Sequence, residues 1–252
     1  MKSSWKGRIY MTEKCSDPRL LDVEENYKRI ADRVAQAAVR SGRQPEDVSL
    51  LAATKTVQPE YINRAIACGL RFVGENRVQE LLEKYDRLDL DRGVSCQMIG
   101  RLQTNKVKYI VDKVDCIQSV DSVKLAGEIS RLSERIGRRM PVLVEVNIGE
   151  ESNKGGVLPE KLYEFLAEIS DFPGIQIEGL MAIPPICAEK TELCNYFSRM
   201  KQYFIDIGAK KIDNVSMDCL SMGMSSDYEE AILCGATMVR VGSALFGQRI
   251  YP

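Results

Sequence analysis

The chain has 252 residues, with 35 Lys and Arg against 36 Asp and Glu, and no histidine. A near-neutral balance and a pI of about 5.8 argue against a dedicated nucleic-acid binder, whose phosphate contacts need a basic excess. Without histidine there is no Ser-His-Asp or Cys-His nucleophile pair and no His-ligated metal. Proton transfer near neutral pH then falls to Lys, Cys, Glu, Asp, Tyr or a bound cofactor.

Residues 1–20 read as a flexible extension, and residues 21–252 as one domain without a linker or a break in composition. The first residues, from Met1 to Arg8, hold no apolar run of the kind a signal peptide needs. No stretch approaches the ~20 apolar residues of a membrane helix. The eight cysteines form no C-x-x-C pair, and several, such as Cys219 and Cys234, sit within apolar segments. They read as free thiols acting as small hydrophobes in a reducing cytoplasm, with no metal site among them.

Val23, Tyr27, Ile30, Val34 and Ala37 recur at spacings of three and four, which predicts an amphipathic helix ended by Gly42. Apolar runs at 48–54, 71–74, 96–100, 116–120, 142–148, 175–183, 219–222 and 238–242 then predict strands. Helices are expected near 59–69, 77–86, 104–113, 122–137, 159–171, 189–208 and 227–234. Strict alternation implies a parallel sheet, because parallel neighbours need crossover connections. Eight units in about 200 residues fit an α/β fold of the (β/α)8 TIM-barrel type with an extra N-terminal helix. An open doubly wound sheet competes, but no G-x-G-x-x-G follows the first strand.

In such a barrel the functional face is the carboxyl end of the strands. The first strand ends in Lys55, which is either a rim charge or a desolvated amine able to attack a carbonyl. In the last strand Arg240 interrupts an apolar run, and a buried guanidinium needs an acceptor, from a carboxylate or from a ligand. Gly242 and Ser243 follow it directly, offering close backbone approach and a hydroxyl to a phosphate. The segment from Leu220 to Asp227 offers further Gly and Ser groups before a helix, which Ser226 or Asp227 also caps. A phosphate cradle after the last two strands, opposite a Schiff-base lysine, points to pyridoxal phosphate.

Ala53-Thr54-Lys55-Thr56, the run from Phe72 to Glu80, the run from Ile99 to Lys106, Glu178 to Pro184, Leu220 to Ser225 and Met238 to Ser243 form six ordered blocks. Together they resemble the signature blocks of the pyridoxal phosphate homeostasis proteins, which are similar to the N-terminal barrel of alanine racemase, the type III pyridoxal phosphate fold. The resemblance implies that Lys55 carries the internal aldimine and that Arg240 faces the pyridine nitrogen. It places Ser225, Gly242 and Ser243 at the phosphate and Asn76 near the ring, with Ser221 and Met224 in the same cofactor-binding set. An arginine at that nitrogen disfavours ring protonation and makes the ring a weaker electron sink.

The implied function is binding and intracellular homeostasis of pyridoxal 5'-phosphate (vitamin B6) by a monomer without established turnover. Its partners would be the cofactor itself and, transiently, pyridoxal phosphate-dependent enzymes, with no nucleic acid and no membrane. The alternative is a small amino-acid racemase or lyase using the same lysine. A barrel binding another phosphorylated metabolite, with Lys55 incidental, is a third reading. The chain stops ten residues after Gly242, so the racemases' β-rich domain and its tyrosine base are expected to be missing, which favours the carrier. Lys154, in the loop after the fifth strand, is a solvated lysine or a secondary cofactor contact. Two positions depart from the family pattern: Gln97 stands where a histidine is frequent, and Arg101 where relatives often carry His or Pro.

Overall fold

In the computed structural model, which describes residues 17–187 and 189–247, the first element is helix α1, Pro18–Arg40. Asp17 caps it by accepting from Arg19 N at 2.9 Å, and Pro18 occupies the first turn, where its missing N–H costs nothing. The helix therefore begins inside the stretch expected to be a flexible extension. Residues 1–16 of that stretch lie outside the described residues. At the other end Gly42 takes φ +77°. Gly42 N donates to Val39 O and Arg43 N to Ala38 O, each at 3.0 Å, which satisfies the last carbonyls in a Schellman arrangement.

Eight strands come next: β1 (Ser49–Ala53), β2 (Phe72–Glu75), β3 (Ser95–Met98), β4 (Cys116–Val120), β5 (Met140–Val146), β6 (Ile175–Ala182), β7 (Val215–Ser221) and β8 (Met238–Val241). All pair in parallel with their sequence neighbours, and β1 closes the sheet on β8 with Leu51 opposite Arg240. The crossover helices are α2 (Pro59–Ala67), α3 (Val78–Lys84), α4 (Val123–Arg135), α5 (Leu162–Ser170), α6 (Lys190–Lys210) and α7 (Tyr228–Leu233). A last short helix, α8 (Ser243–Phe246), comes after β8. The buried face of α1, with Val23, Ile30, Val34, Ala37 and Ala38, packs on α2, α7 and α8. This is the expected (β/α)8 barrel with its additional N-terminal helix.

Two elements differ from expectation. The helix expected at 104–113 is a 3-10 stretch, Thr104–Tyr109, succeeded by isolated turns. Val107, Ile110, Val111 and Val114 do recur at spacings of three and four and are buried, but β-branched side chains favour the α-helix weakly. Strand β7 begins at Val215 rather than near 219: Val215, Met217 and Cys219 alternate with Ser216 and Asp218, the pattern of a half-buried strand rather than of a continuous apolar run.

Large apolar side chains fill the layer between sheet and helices, including Ile62, Leu81, Val107, Ile129, Leu166 and Phe197. Inside the barrel the apolar groups are confined to two small clusters, around Leu51, Ile99 and Met238 and around Cys116, Leu143 and Met181. Buried polar residues Gln97, Gln118, Ser221 and Arg240 lie on β3, β4, β7 and β8. The seven cysteines among the described residues are free thiols, of which Cys96 and Cys116 are buried and the rest partly buried. No described helix is long and apolar enough to cross a membrane.

Ile30 is fully buried between α1 and the barrel's helical layer. Ile30→Ala is expected to lower the free energy of unfolding by about 2–4 kcal/mol in denaturant titrations. A loss below about 1 kcal/mol would mean that α1 is not integral to the core.

Candidate functional site

A cavity of about 580 Å³ opens at the carboxyl ends of the strands. Lys55 enters it from the end of β1, Asn76 from the end of β2, Arg240 from β8, and Gly242 and Ser243 from the turn into α8. Met224, Ser225 and Ser226 line it from the loop after β7, and Ile99 and Ile183 supply apolar wall. Residues separated by almost the whole sequence thus share one pocket, because closure of the sheet makes β1 and β8 neighbours.

The loop after β7 is shaped by Gly223, at φ +92°, where a Cβ would stand 2.5 Å from the Ala231 side chain. Only glycine lets the backbone pass this close to α7 and turn back into the pocket. Ser225 then reaches across to the last strand, its Oγ accepting from Gly242 N at 3.1 Å and Ala244 N at 3.2 Å. Asp227 closes the loop by accepting from Met224 N at 2.5 Å. The two loops are therefore cross-linked, and the hydroxyls of Ser225, Ser226 and Ser243 line the same end of the pocket. This is a donor-rich cradle suited to a phosphate.

Arg240 is buried, 4% exposed, beneath the pocket. Burial pushes its guanidinium down to about 10, against the nearby Glu145, Cys219 and Asp227, so it stays charged at neutral pH. Its Nη1 donates to Ser221 Oγ at 2.6 Å and its Nη2 to the Ala182 carbonyl at 2.9 Å. The chain of donors continues through the barrel. Ser221 Oγ donates to Gln118 Oε1 at 2.7 Å, Gln118 Nε2 to Gln97 Oε1 at 2.6 Å, and Gln97 Nε2 to Ser95 Oγ at 3.1 Å. Ser221, expected among the cofactor contacts, is thus fully buried and supports Arg240. Gln97 lies in the interior, facing a second cavity of about 360 Å³ at the amino ends of the strands. The departure from the family's frequent histidine therefore lies outside the lining of the Lys55 pocket, joined to it through Gln118, Ser221 and Arg240.

Lys154 is not among the described residues lining the Lys55 pocket. It lies on the loop after β5, exposed, with its Nζ 2.5 Å from Glu151 Oε2. That loop is braced by Asn147, whose Nδ2 donates to Glu151 O at 2.9 Å while its Oδ1 accepts from Glu151 N at 3.2 Å. Two residues escaped the sequence pattern. Gln118 and Glu145 each interrupt an apolar strand, the same signal that drew attention to Arg240. Burial pushes Glu145 up to about 7, reinforced by Asp121 and opposed by Arg240 and Arg101.

An eight-stranded parallel barrel with an amine, a buried guanidinium and a phosphate-type cradle at its carboxyl face defines a class of cofactor-binding barrels. The family model of the alanine racemase N-terminal domain matches residues 23–250. A pyridoxal phosphate homeostasis protein of Aquifex aeolicus is 44% identical over 228 residues, covering 90% of this chain and 98% of the relative. The chain belongs to the pyridoxal phosphate homeostasis protein family. A crystal structure of an unknown protein from Bifidobacterium adolescentis is similar at a TM-score of 0.87 and 36% identity, covering 92% of this chain and 98% of that one. PipY of Synechococcus elongatus PCC7942, solved with PLP bound, is similar at a TM-score of 0.74 and 34% identity, covering 86% of this chain and all of that one.

Because folding raises the Glu145 pKa, the folded chain holds its proton to higher pH than the unfolded chain does. Stability is therefore lost as pH rises from the ordinary carboxylate range to about 7, and the loss is constant above that. Glu145→Gln is expected to melt above the wild type at about pH 8, with the gap narrowing toward about pH 5. A gap independent of pH, or a lower melting temperature at high pH, would contradict the environment described for this carboxyl.

Proposed function

We propose that this protein binds pyridoxal 5'-phosphate and acts in its intracellular homeostasis as a carrier, with Lys55 as the covalent attachment point. The observation that carries the reading is the convergence of Lys55, Arg240 and the Ser225–Gly242–Ser243 cradle on one cavity. Membership of the homeostasis family and the PLP-bound PipY structure support it.

The residues present fit the cofactor. When bound, it supplies an aldehyde carbon open to attack by an amine and a ring able to withdraw electrons. Lys55 Nζ is the amine. The hydroxyls of Ser225 and Ser243 and the open backbone at Gly242, with the neighbouring Met224 turn, are assigned the phosphate, and Asn76 the ring. Arg240, fixed from below by Ser221, is assigned the ring nitrogen as a permanent cation that discourages protonation there. Among the described residues lining the pocket, Lys55 is the one side chain suited to act as a base. Racemisation needs a proton removed on one face and returned on the other, so this lining favours holding over turnover. A monomeric state, a cytoplasmic location, residues 21–252 as the binding domain and transient contact with pyridoxal phosphate-dependent enzymes complete the proposal.

Reconstitution of the purified protein with pyridoxal phosphate is expected to give a visible absorption band that Lys55→Ala abolishes while leaving the circular dichroism spectrum unchanged. A wild-type protein that stays colourless after reconstitution would sink the reading. Amino-acid turnover by the loaded protein would move it to the racemase class.

Lys154 is assigned a secondary contact during release. Lys154→Ala is expected to keep the band and to slow delivery to an apo-enzyme several-fold. Equal transfer rates would leave Lys154 a solvated loop residue.

A further inference from the structure

Lys55 stands between two residues whose backbones are both held from outside the pocket. Before it, buried Thr54 donates its N–H to Gly74 O at 2.9 Å, and its hydroxyl lies 3.1 Å from both Gly74 O and Glu75 Oε2. The Thr54 carbonyl accepts from Lys84 Nζ at 2.9 Å. After Lys55, Thr56 takes a left-handed conformation, φ +62°, which is an outlier for a β-branched residue. Its N–H donates to Glu80 Oε2 at 2.7 Å. One ammonium joins the two halves, since Lys84 Nζ also meets Glu75 Oε2 at 2.8 Å and Glu80 Oε2 at 3.5 Å. The other oxygen of Glu75 accepts from Asn76 N at 3.1 Å, so the same carboxylate fixes a second pocket residue.

This arrangement is costly as a stability device. The Lys84 and Glu75 side chains are 11% and 3% exposed, and apolar groups of similar volume commonly stabilise such a position equally well. A left-handed threonine adds strain that persists only where the surroundings over-determine it. What the ion pair and the strain obtain in return is a fixed backbone on both sides of the pocket amine. Attack on a carbonyl is efficient only when the amine is already held near its target.

We propose that Glu75, Lys84 and Glu80 are positioning residues for Lys55, forming a clamp that grips the chain on either side of it and aims its amine into the cavity. The proposal rests on Lys55 being the point of cofactor attachment. It goes beyond that reading by assigning a role to three charged side chains that do not line the pocket.

Glu80→Ala tests it with little risk to the fold, because the Lys84–Glu75 pair remains and the freed Thr56 N–H, at an exposed residue, can bond water. The melting temperature is expected to stay within a few degrees of wild type. Release of pyridoxal phosphate is expected to quicken roughly tenfold, as suits the loss of one hydrogen bond to a charged group. Acylation of Lys55 in the cofactor-free protein, measured by mass spectrometry, is expected to quicken by a similar factor while exposed Lys28 is unchanged. Glu80→Gln keeps an acceptor oxygen for Thr56 N–H and is expected to restore both rates. Lys84→Met, where it folds, should exceed the effect of Glu80→Ala.

If Glu80→Ala folds and both Lys55 rates stay within about twofold of wild type, the clamp is structural only and the proposal fails. If the wild type takes up no pyridoxal phosphate, yet Lys55 acylation responds to Glu80→Ala and recovers in Glu80→Gln, the cofactor reading fails and the clamp stands.

Discussion

Pairing of β1 with β8 closes the barrel, and the site depends on that contact more than on any other. Leu51 lies opposite Arg240 and Ala52 opposite Val241, so the end of the first strand and the end of the last share one rim. Lys55 is delivered by β1, while the guanidinium and the Gly242–Ser243 turn are delivered by β8 and its exit into α8. In an open sheet these residues would stand at opposite edges. Closure also removes the two unpaired edges that an eight-stranded sheet would otherwise present.

The cost of the site is concentrated in Arg240. A guanidinium cannot shed its proton to escape burial, so its donors must be satisfied from within. Ser221 and the Ala182 carbonyl satisfy two of them, and the hydroxyl of Ser221 passes the demand on to Gln118, then Gln97, then Ser95. Each side chain donates in the same direction along this line, away from the pocket. Such aligned chains polarise one another and penalise any member left unpaired. The interior of the barrel is therefore more polar than its outer layer, and its inner apolar clusters are small.

Much of this was legible in the sequence for a local reason. Alternating strands and helices carry their own periodicity, and a charged residue in an apolar run, as at Arg240, is conspicuous without knowledge of its partners. Pattern failed where β-branched residues turned an expected helix into a 3-10 stretch, and at the amino end of β7, where Val215, Met217 and Cys219 alternate with polar residues instead of forming an apolar run. It also failed to connect residues. Gln118 and Glu145 carry the same signal as Arg240, but nothing local says that one supports Arg240 from below and the other lies in its field. Lys84 reads as an ordinary helix lysine, and only the fold brings it beneath Thr54.

A histidine-free pocket suits a carrier for a reason beyond missing acid–base groups. Capture and release are the same reaction run in opposite directions, so a carrier gains when its amine is well placed and little else at the site reacts. Orientation supplied by a rigid frame favours capture and holds what is captured, whereas an added base would open paths to side reactions of the captured carbonyl. Glu145, whose carboxyl burial pushes up to about 7, acts on Arg240 from outside the pocket lining. As it ionises it offsets the positive field of Arg240, which weakens the hold on an anionic ligand without adding a base beside Lys55.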